Sequence, residues 1–389
     1  MSSAGLIIGI DATNLRDGGG VTHLTEILCA VNPSKHGITK IIVFGGEKIL
    51  SLLENKPWLE KIHPPELNQG IFSRLFWQKF KFIKAAKACH CDLLFIPGGS
   101  YFVAFKPIVT MSRNMLPFEK SEIQRYGWSS RRIRLILLRY IQSKSMRQAQ
   151  GVIFLTEYAR RAVQSVTGPL KGNLSLIPHG LNIRFRAEPK QQLSIQNYSR
   201  ENPYRIIYVS TVDQYKHQWC VVQAVSQLFA EGLPVKLDLI GPAHFQPSLR
   251  KLQASISKYD PDGKCVQYHG AVAYQELHSM YTKADLGVFA SSCENMPNIL
   301  LETMAAGLPM ASSNRGPTPE ILGEAGIYFD PLEPGQIASA IKSLIISPEL
   351  RSKNAQLNYE LATKFSWSEC ADKTFSFLAQ IALKCGNKH

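Results

Sequence analysis

The sequence predicts an α/β protein made of two doubly wound domains with mostly parallel sheets. Three observations carry this. Short apolar runs of strand length alternate with longer helical patterns along both halves of the chain. A polar stretch at 186–203, with Glu, Gln, Asn, Ser and Pro but few apolar side chains, separates the halves. The chain has 389 residues, 45% of them hydrophobic, which is enough for two domains of ordinary size with a core each.

In the first half, Leu6 to Asp11 reads as a strand ending in a carboxylate. Asp17-Gly18-Gly19-Gly20 follows, then a helical pattern from Val21 to Val31. Glycines in that position let backbone approach a ligand closely, and a plain turn fits them as well. Ile41 to Phe44, Asp92 to Ile96, Pro107 to Met111, Gly151 to Leu155 and Leu174 to Ile177 read as further strands. The loops after them include Pro97-Gly98-Gly99, Ser112-Arg113-Asn114 and Pro178-His179-Gly180. In a doubly wound sheet such loops lie beyond the carboxyl ends of the strands, where ligands bind.

The second half starts the pattern again. Tyr204 to Ser210, Lys236 to Gly241, Val266 to His269, Leu286 to Ala290, Met310 to Ser312 and Gly326 to Phe329 read as strands. Helical patterns at 216–231, 246–258, 274–283 and 335–346 fill the gaps. From Ser366-Trp367 onward the chain reads as one amphipathic helix. The expected organisation is a domain at 1–185, a linker at 186–203, a second domain at 204–367 and a C-terminal helix at 368–389.

Composition narrows the function classes. No run of about 18 uncharged apolar residues occurs, so no spanning helix is expected. The first ten residues lack a basic leader region and read as a strand rather than a signal peptide. Eight scattered cysteines suit reduced, mostly buried thiols; Cys89-His90-Cys91 clusters, but its spacing fits no common zinc site. The net charge of +14 is uneven: residues 1–200 hold 28 Lys and Arg against 12 Asp and Glu, the remainder 16 against 18. That asymmetry points to an anionic partner for the first half.

The most informative stretch runs from Ser291 to Pro309. Leu286 to Ala290 is strand-like, Pro297 suits a first helical turn, and Gly307 with Pro309 reads as a helix stop. Glu294 then lies in a loop and Glu302 on a helix, one turn after Asn298. Free amides near Asn298, Ile299 and Leu300 would make an electropositive helix start suited to a phosphate. Carboxylates on either side of it suit hydroxyl groups, as in a nucleotide sugar. A surface helix residue and a loop residue would account for the two glutamates taken alone.

The whole run, Ser-x-x-Glu-Asn-x-Pro-Asn-x-x-x-Glu-x-Met-Ala-x-Gly-x-Pro, closely resembles the donor-site signature of family 4 glycosyltransferases, the group 1 glycosyl transferases. The resemblance implies the GT-B fold: two Rossmann-like domains facing across a cleft, with the C-terminal helix packing back on the first. It implies sugar transfer from a nucleotide diphosphate with retention at the anomeric carbon. Glu294 would hold donor-sugar hydroxyls and Glu302 the ribose. Tyr208-Val209-Ser210-Thr211 through Lys216-His217 resembles the family's first donor strand, with Lys216 as the phosphate-binding lysine. The family usually has an arginine where this chain has Ser210, which leaves the second phosphate cation unassigned. Val272, after Tyr268-His269-Gly270, matches the segment that contacts the base through its backbone. Gly19 and Gly20 match the glycine loop that lies opposite the donor phosphate. Where many members carry a histidine, this chain reads Arg113-Asn114; either would hydrogen-bond the donor sugar or phosphate, and neither titrates as a base near neutrality. His23 and His179 are further candidates by sequence position, and a structural role fits both.

No metal or cofactor is expected. Asp260-Pro261-Asp262-Gly263 reads as a turn, and Lys216 with a helix start can carry the electrostatic work. Aromatics mixed with cations at 71–87, including Phe72, Phe76, Trp77, Phe80 and Phe82 among Lys79, Lys81 and Lys84, and again at 125–147, suit an anionic membrane surface. Ordinary helices with one core face fit the same pattern; a nucleic-acid groove would leave the 291–309 stretch unexplained. The expected protein is cytoplasmic, peripheral on the inner face of the plasma membrane. It would transfer sugar to a lipid-linked or growing surface glycan and bind no nucleic acid. A soluble-glycan synthase or phosphorylase of the same fold, and a non-catalytic binder, are the alternatives.

Overall fold

The computed structural model describes residues 5–15, 18–69, 73 and 76–386. They form two compact units. The first contains residues up to Glu119, Trp128–Gly180 and residues from Ser366 onward; the second contains Lys120–Gly127 and Leu181–Phe365.

The first unit is built on seven strands: β1 (Leu6–Asp11), β2 (Ile38–Phe44), β3 (Leu59–Ile62), β4 (Leu93–Ile96), β5 (Ile108–Met111), β6 (Gly151–Phe154) and β7 (Asn173–Leu176). Their order is β3-β2-β1-β4-β5-β6-β7, and every pairing is parallel. β4, β5 and β6 are buried at every position, because helices cover both faces of such a sheet. β3 has no counterpart in the sequence reading: Glu60 and Lys61 interrupt it, and it survives as a half-buried edge. The final helix, Trp367–Gly386, packs on this unit. Its Phe377 ring lies over β6 at Gly151, where an added Cβ would come within 3.0 Å.

The reading of 71–87 as a docking surface is corrected here. Ile71, Phe72, Arg74 and Leu75 lie outside the described residues. Trp77 and Phe82 are core residues, 4% and 0% exposed, with the Phe44 ring 6.3 Å from Trp77 and 5.2 Å from Phe82. Trp77–Lys81 is a π-helical turn running into the helix Phe82–Ala88. Burying large aromatic area in this core outweighs placing it at a surface. Phe76 and Phe80 are exposed and stack on each other at 5.1 Å. Lys81 pairs with Glu66.

The second unit has six parallel strands: β8 (Tyr204–Val209), β9 (Val235–Ile240), β10 (Val266–Gly270), β11 (Leu286–Phe289), β12 (Met310–Ser313) and β13 (Ile327–Phe329), in the order β10-β9-β8-β11-β12-β13. The polar segment at 186–203 packs on this unit. Ala187 N donates to Ala305 O at 2.9 Å, and Lys190 Nζ reaches Ala284 O at 3.0 Å. Polar composition reports exposure rather than membership, so it does not mark the crossing point, which falls at Gly180–Leu181. The helix Pro348–Ala362 shows no apolar stripe because its buried face is polar. Asn354 there accepts from Met310 N at 2.7 Å and donates to Ala325 O at 2.6 Å.

Strand order reverses between β1 and β4 and between β8 and β11. These are the topological switch points where an open α/β sheet leaves a crevice. In the second unit the surrounding loops are drawn tight. Gly241, just after β9, has φ 142°, its N–H donates to Gly270 O at 2.7 Å, and an added Cβ would stand 2.1 Å from Ser210 O. Gly241→Ala should therefore destabilise the protein by about 2 kcal/mol or more, since strain and overlap act together. Urea unfolding measures this; an unchanged midpoint would contradict the close approach of the loops after β8 and β9.

Candidate functional site

Lys216 and Glu294, 78 residues apart in sequence, form an ion pair. The loop after β8 makes a 3-10 turn at Gln214–Lys216, and His217 then takes a left-handed conformation (φ 50°, ψ 32°) before the helix Gln218–Ala230. That reversal turns Lys216 toward the loop after β11. Tyr208 OH donates to Lys216 O at 2.7 Å and fixes the turn to its own strand. Ser292 latches the two loops: its N–H donates to Tyr215 O at 2.8 Å, and its Oγ bonds His217 Nε2 at 2.8 Å. Burial holds His217 down at about 3, so its ring is neutral. Ser291 Oγ donates to Glu294 Oε1 at 2.8 Å, so two partners orient that oxygen. Lys216 is 4% exposed, and its ammonium lies 5.0 Å from the Tyr215 ring and 5.7 Å from the Phe289 ring. Ser210, where the resemblance calls for an arginine, accepts from Gln218 Nε2 at 2.8 Å.

Glu294 leads into the helix Asn298–Ala305. Pro297 is the residue before that helix (φ −80°, ψ 112°) rather than part of its first turn, and its carbonyl accepts from Leu300 N and Leu301 N. The Leu300 amide is therefore used. The Asn298 and Ile299 amides donate to nothing among the described residues, and Asn298 Oδ1 is buried without a partner. This narrows the expected three free amides to two. Gly316, after β12, closes the far side: its φ is 66°, and an added Cβ would meet Glu294 N at 3.6 Å.

Glu302 faces inward and is 3% exposed. Burial raises its carboxyl to about 7, against smaller lowering effects from a Tyr274 hydroxyl bond at 3.2 Å and the Arg184 charge. The Arg184 guanidinium stacks over the Tyr274 ring at 3.9 Å. Val272 sits in the same loop, two residues before Tyr274, and is half-buried. Sequence reasoning missed Ser291, Ser292, His217, Arg184 and Tyr274. Ser291 and Ser292 lay inside the signature; Arg184 and Tyr274 carry no local signal, since only folding brings them to Glu302.

In the first unit the helix Gly19–Ala30 begins at Gly19 and Gly20, after Gly18 with φ 72°. Asp17 lies outside the described residues. Gly20 has a steric reason: an added Cβ would stand 2.6 Å from the Arg113 guanidinium. Arg113, from the loop after β5, lies against this helix start with its Nε buried and, among the described residues, unpartnered. Burial lowers its pKa to about 10, so it stays charged at neutral pH. Asn114 is exposed, and its Oδ1 accepts from Leu116 N at 3.2 Å, which leaves its amide hydrogens to donate. His23 and His179 bond each other, Nδ1 to Nδ1 at 3.0 Å, beside the Trp367 ring. Burial and neighbouring charge hold His23 well below its ordinary range and His179 at about 3, so both are neutral structural groups.

Asp260 is a turn residue. Its carboxylate accepts from the amides of Lys264, Cys265 and Val266 at 2.8, 3.0 and 2.8 Å. Among the described residues no group of three or more His, Cys, Asp or Glu is placed to hold a metal ion.

Two doubly wound units with these switch-point loops define a GT-B protein. HepE of Anabaena in complex with UDP superposes with a TM-score of 0.69 at 18% identity, over 98% of this chain and 100% of that one. Sucrose-phosphate synthase of Thermosynechococcus elongatus superposes at 0.73 and 19% identity, over 97% and 100%. Residues 203–347 match the family described as Glycosyl transferases group 1. The chain is 27% identical over 267 residues to a GDP-mannose-dependent alpha-(1-6)-phosphatidylinositol monomannoside mannosyltransferase of Mycobacterium tuberculosis, 65% of this chain and 66% of that one. It is 23% identical over 252 residues to the O-antigen chain mannosyltransferase B of Escherichia coli, 61% of this chain. The matches span 66% and 64% of those relatives' own lengths, just under two thirds.

The Glu302 carboxyl makes stability depend on pH. Its folded value of about 7 lies above the ordinary 4.5, so its neutral form is favoured on folding. That contribution is fully present below pH 4.5 and is lost as pH rises through about 7. Relative to Glu302→Gln, the wild-type protein should lose up to roughly 3 kcal/mol across this window. Urea unfolding of both proteins from pH 5 to 8 measures the difference; parallel curves would mean that Glu302 is ionised throughout.

Proposed function

We propose that the protein is a retaining glycosyltransferase that moves a sugar from a nucleotide diphosphate to a lipid-linked or growing surface glycan. The observation that carries this reading is the Lys216–Glu294 pair beside the open amides of Asn298 and Ile299. The arrangement suits a diphosphate followed by a sugar. Lys216 would exchange its carboxylate partner for phosphate oxygens, and Glu294 would turn to the sugar hydroxyls. Leu300 completes the first turn, Glu302 takes the ribose, and the backbone at Val272 faces the base. In the first unit, Gly19, Gly20, Arg113 and the Asn114 amide serve anionic or hydroxyl groups of the substrates.

In the proposed reaction the acceptor oxygen forms a bond to the anomeric carbon on the face from which the phosphate leaves. The acceptor proton passes to the departing phosphate oxygen, giving the glycoside and a nucleoside diphosphate. Charge grows on that oxygen as the old bond breaks, and Lys216 and the helix start stabilise it without a metal ion. Neither Arg113 nor Asn114 acts as a base.

The acceptor class is supported by the relatives named for phosphatidylinositol monomannoside and O-antigen transfer. It is also supported by the helix Ser130–Gln148, which exposes Ile133, Ile136, Leu137 and Tyr140 among arginines. Among the described residues no helix is long and apolar enough to cross a membrane, and we place the protein peripherally on the inner face of the plasma membrane. A soluble-glycan synthase is the second reading, supported by a Mycobacterium tuberculosis glycogen synthase 22% identical over 238 residues.

Steady-state kinetics with purified protein test the site. Lys216→Ala should lose roughly 2.7–4 kcal/mol of transition-state stabilisation. Glu294→Ala should mainly lower kcat, and Glu302→Ala should mainly raise KM for the donor. Chelator should leave wild-type turnover unchanged. Loss with chelator and recovery with a divalent cation would overturn the metal-free mechanism, and wild-type kinetics in all three variants would overturn the site.

A further inference from the structure

A second concave site lies in the first unit, away from the loops described above. It is a cavity of about 890 Å³ at the amino ends of β5, β6 and β7. That is the opposite end of the sheet from the carboxyl-end loops that carry Arg113 and Asn114, roughly 13 Å along a four-residue strand. Lys106, Lys144, Arg147, Lys171 and Lys384 line it, and no Asp or Glu does. None of the five pairs with a carboxylate among the described residues: Arg147 donates to Thr167 O at 2.9 Å and Lys384 to Asn173 Oδ1 at 3.1 Å. Five cations around one concavity, with no counter-charge among the described residues, repel one another, and the arrangement is relieved by an anion.

The cavity is continuous with an apolar stripe. On the helix Ser130–Gln148, Ile133, Ile136, Leu137, Tyr140 and Lys144 follow the spacing of one helical face. Ile133 is 71% exposed and Tyr140 69%, while Leu135 and Met146 on the other side are core. Tyr140 and Lys144 belong both to the stripe and to the cavity wall, where Phe102 is also exposed. Trp128, fully exposed, stands just before the helix. The stripe is flanked by Arg134 and Arg139, so face-to-face pairing of two copies would bring like charges together. An amphiphile with an anionic head meets both requirements.

We propose that this cavity binds the phosphate of an anionic phospholipid headgroup while the 133–140 stripe enters the acyl boundary. This rests on the membrane reading above and adds to it a headgroup site at the amino end of the sheet. Lysine ammonium groups suit phosphate as point charges, and the cavity volume lies within the range of small-molecule sites.

The test uses the full chain and vesicles of phosphatidylcholine with or without phosphatidylglycerol. Wild-type protein should sediment with the anionic vesicles, and inorganic pyrophosphate at constant ionic strength should displace it. The double variant Lys106→Glu/Lys171→Glu lies outside the stripe and should bind those vesicles at least about 25-fold more weakly, at about fivefold per cation lost. Its residual binding should be insensitive to pyrophosphate. Both side chains are exposed, so the variant should keep wild-type thermal unfolding. Ile133→Asn/Leu137→Asn should weaken vesicle binding while leaving the remaining binding displaceable by pyrophosphate. Wild-type vesicle affinity in the lysine variant, or no displacement by pyrophosphate, would overturn the headgroup site alone. Wild-type protein that ignores anionic vesicles would overturn the membrane reading with it, and preference for a single-stranded oligonucleotide at physiological salt would replace the partner class.

Discussion

The second unit depends on one constraint: the β8 and β11 loops must meet with Lys216 and Glu294 in contact. An ion pair this enclosed gains little net stability, because desolvation of both charges offsets their attraction. Removing either partner would strand the other. The surrounding bonds show how the chain holds the pair in place without relying on its energy. Ser292 ties the loops through Tyr215 O and His217, Tyr208 ties the turn to its strand, and Ser291 orients Glu294. Preorganised charges in a partly dry crevice act more strongly on a developing negative charge than the same charges in water.

Burial also sets protonation elsewhere. His23 and His179 are kept neutral and bond each other through Nδ1. Arg113 keeps its charge despite burial and lies against a helix start. Glu302 is the reverse case, a carboxyl that enclosure raises to about 7 against the opposing effects of the Tyr274 hydroxyl and the Arg184 charge. In each case the environment decides what the group can do, and none of these environments is local in sequence.

The charge asymmetry has two structural sources. Part of the cation excess sits on the helix Ser130–Gln148, and part converges on the cavity at the amino ends of β5 to β7. The aromatic residues at 77 and 82, which look equally interfacial in sequence, went to the core instead. An aromatic among lysines is compatible with either fate. The choice depends on whether the fold offers a cavity of matching shape, here beside Phe44.

Sequence alone determined the alternation of strands and helices, because apolar periodicity and glycine punctuation are local properties. It also placed Glu294 in a loop and Glu302 on a helix, since a strand, a short loop and a helix start can be read from neighbouring residues, whereas Lys216, expected at a helix start, lies in a 3-10 turn just before one. It did not reveal the edge strand at Leu59–Ile62 or the polar-faced helix Pro348–Ala362, whose burial patterns depart from simple periodicity. Tertiary structure alone decided that Lys216 and Glu294 touch, that Arg184 and Tyr274 attend Glu302, and that Lys106, Lys171 and Lys384 share one cavity. Strand order brings such residues together, and strand order is a property of the packed sheet: a crossover can join positions 78 residues apart that share no local signal.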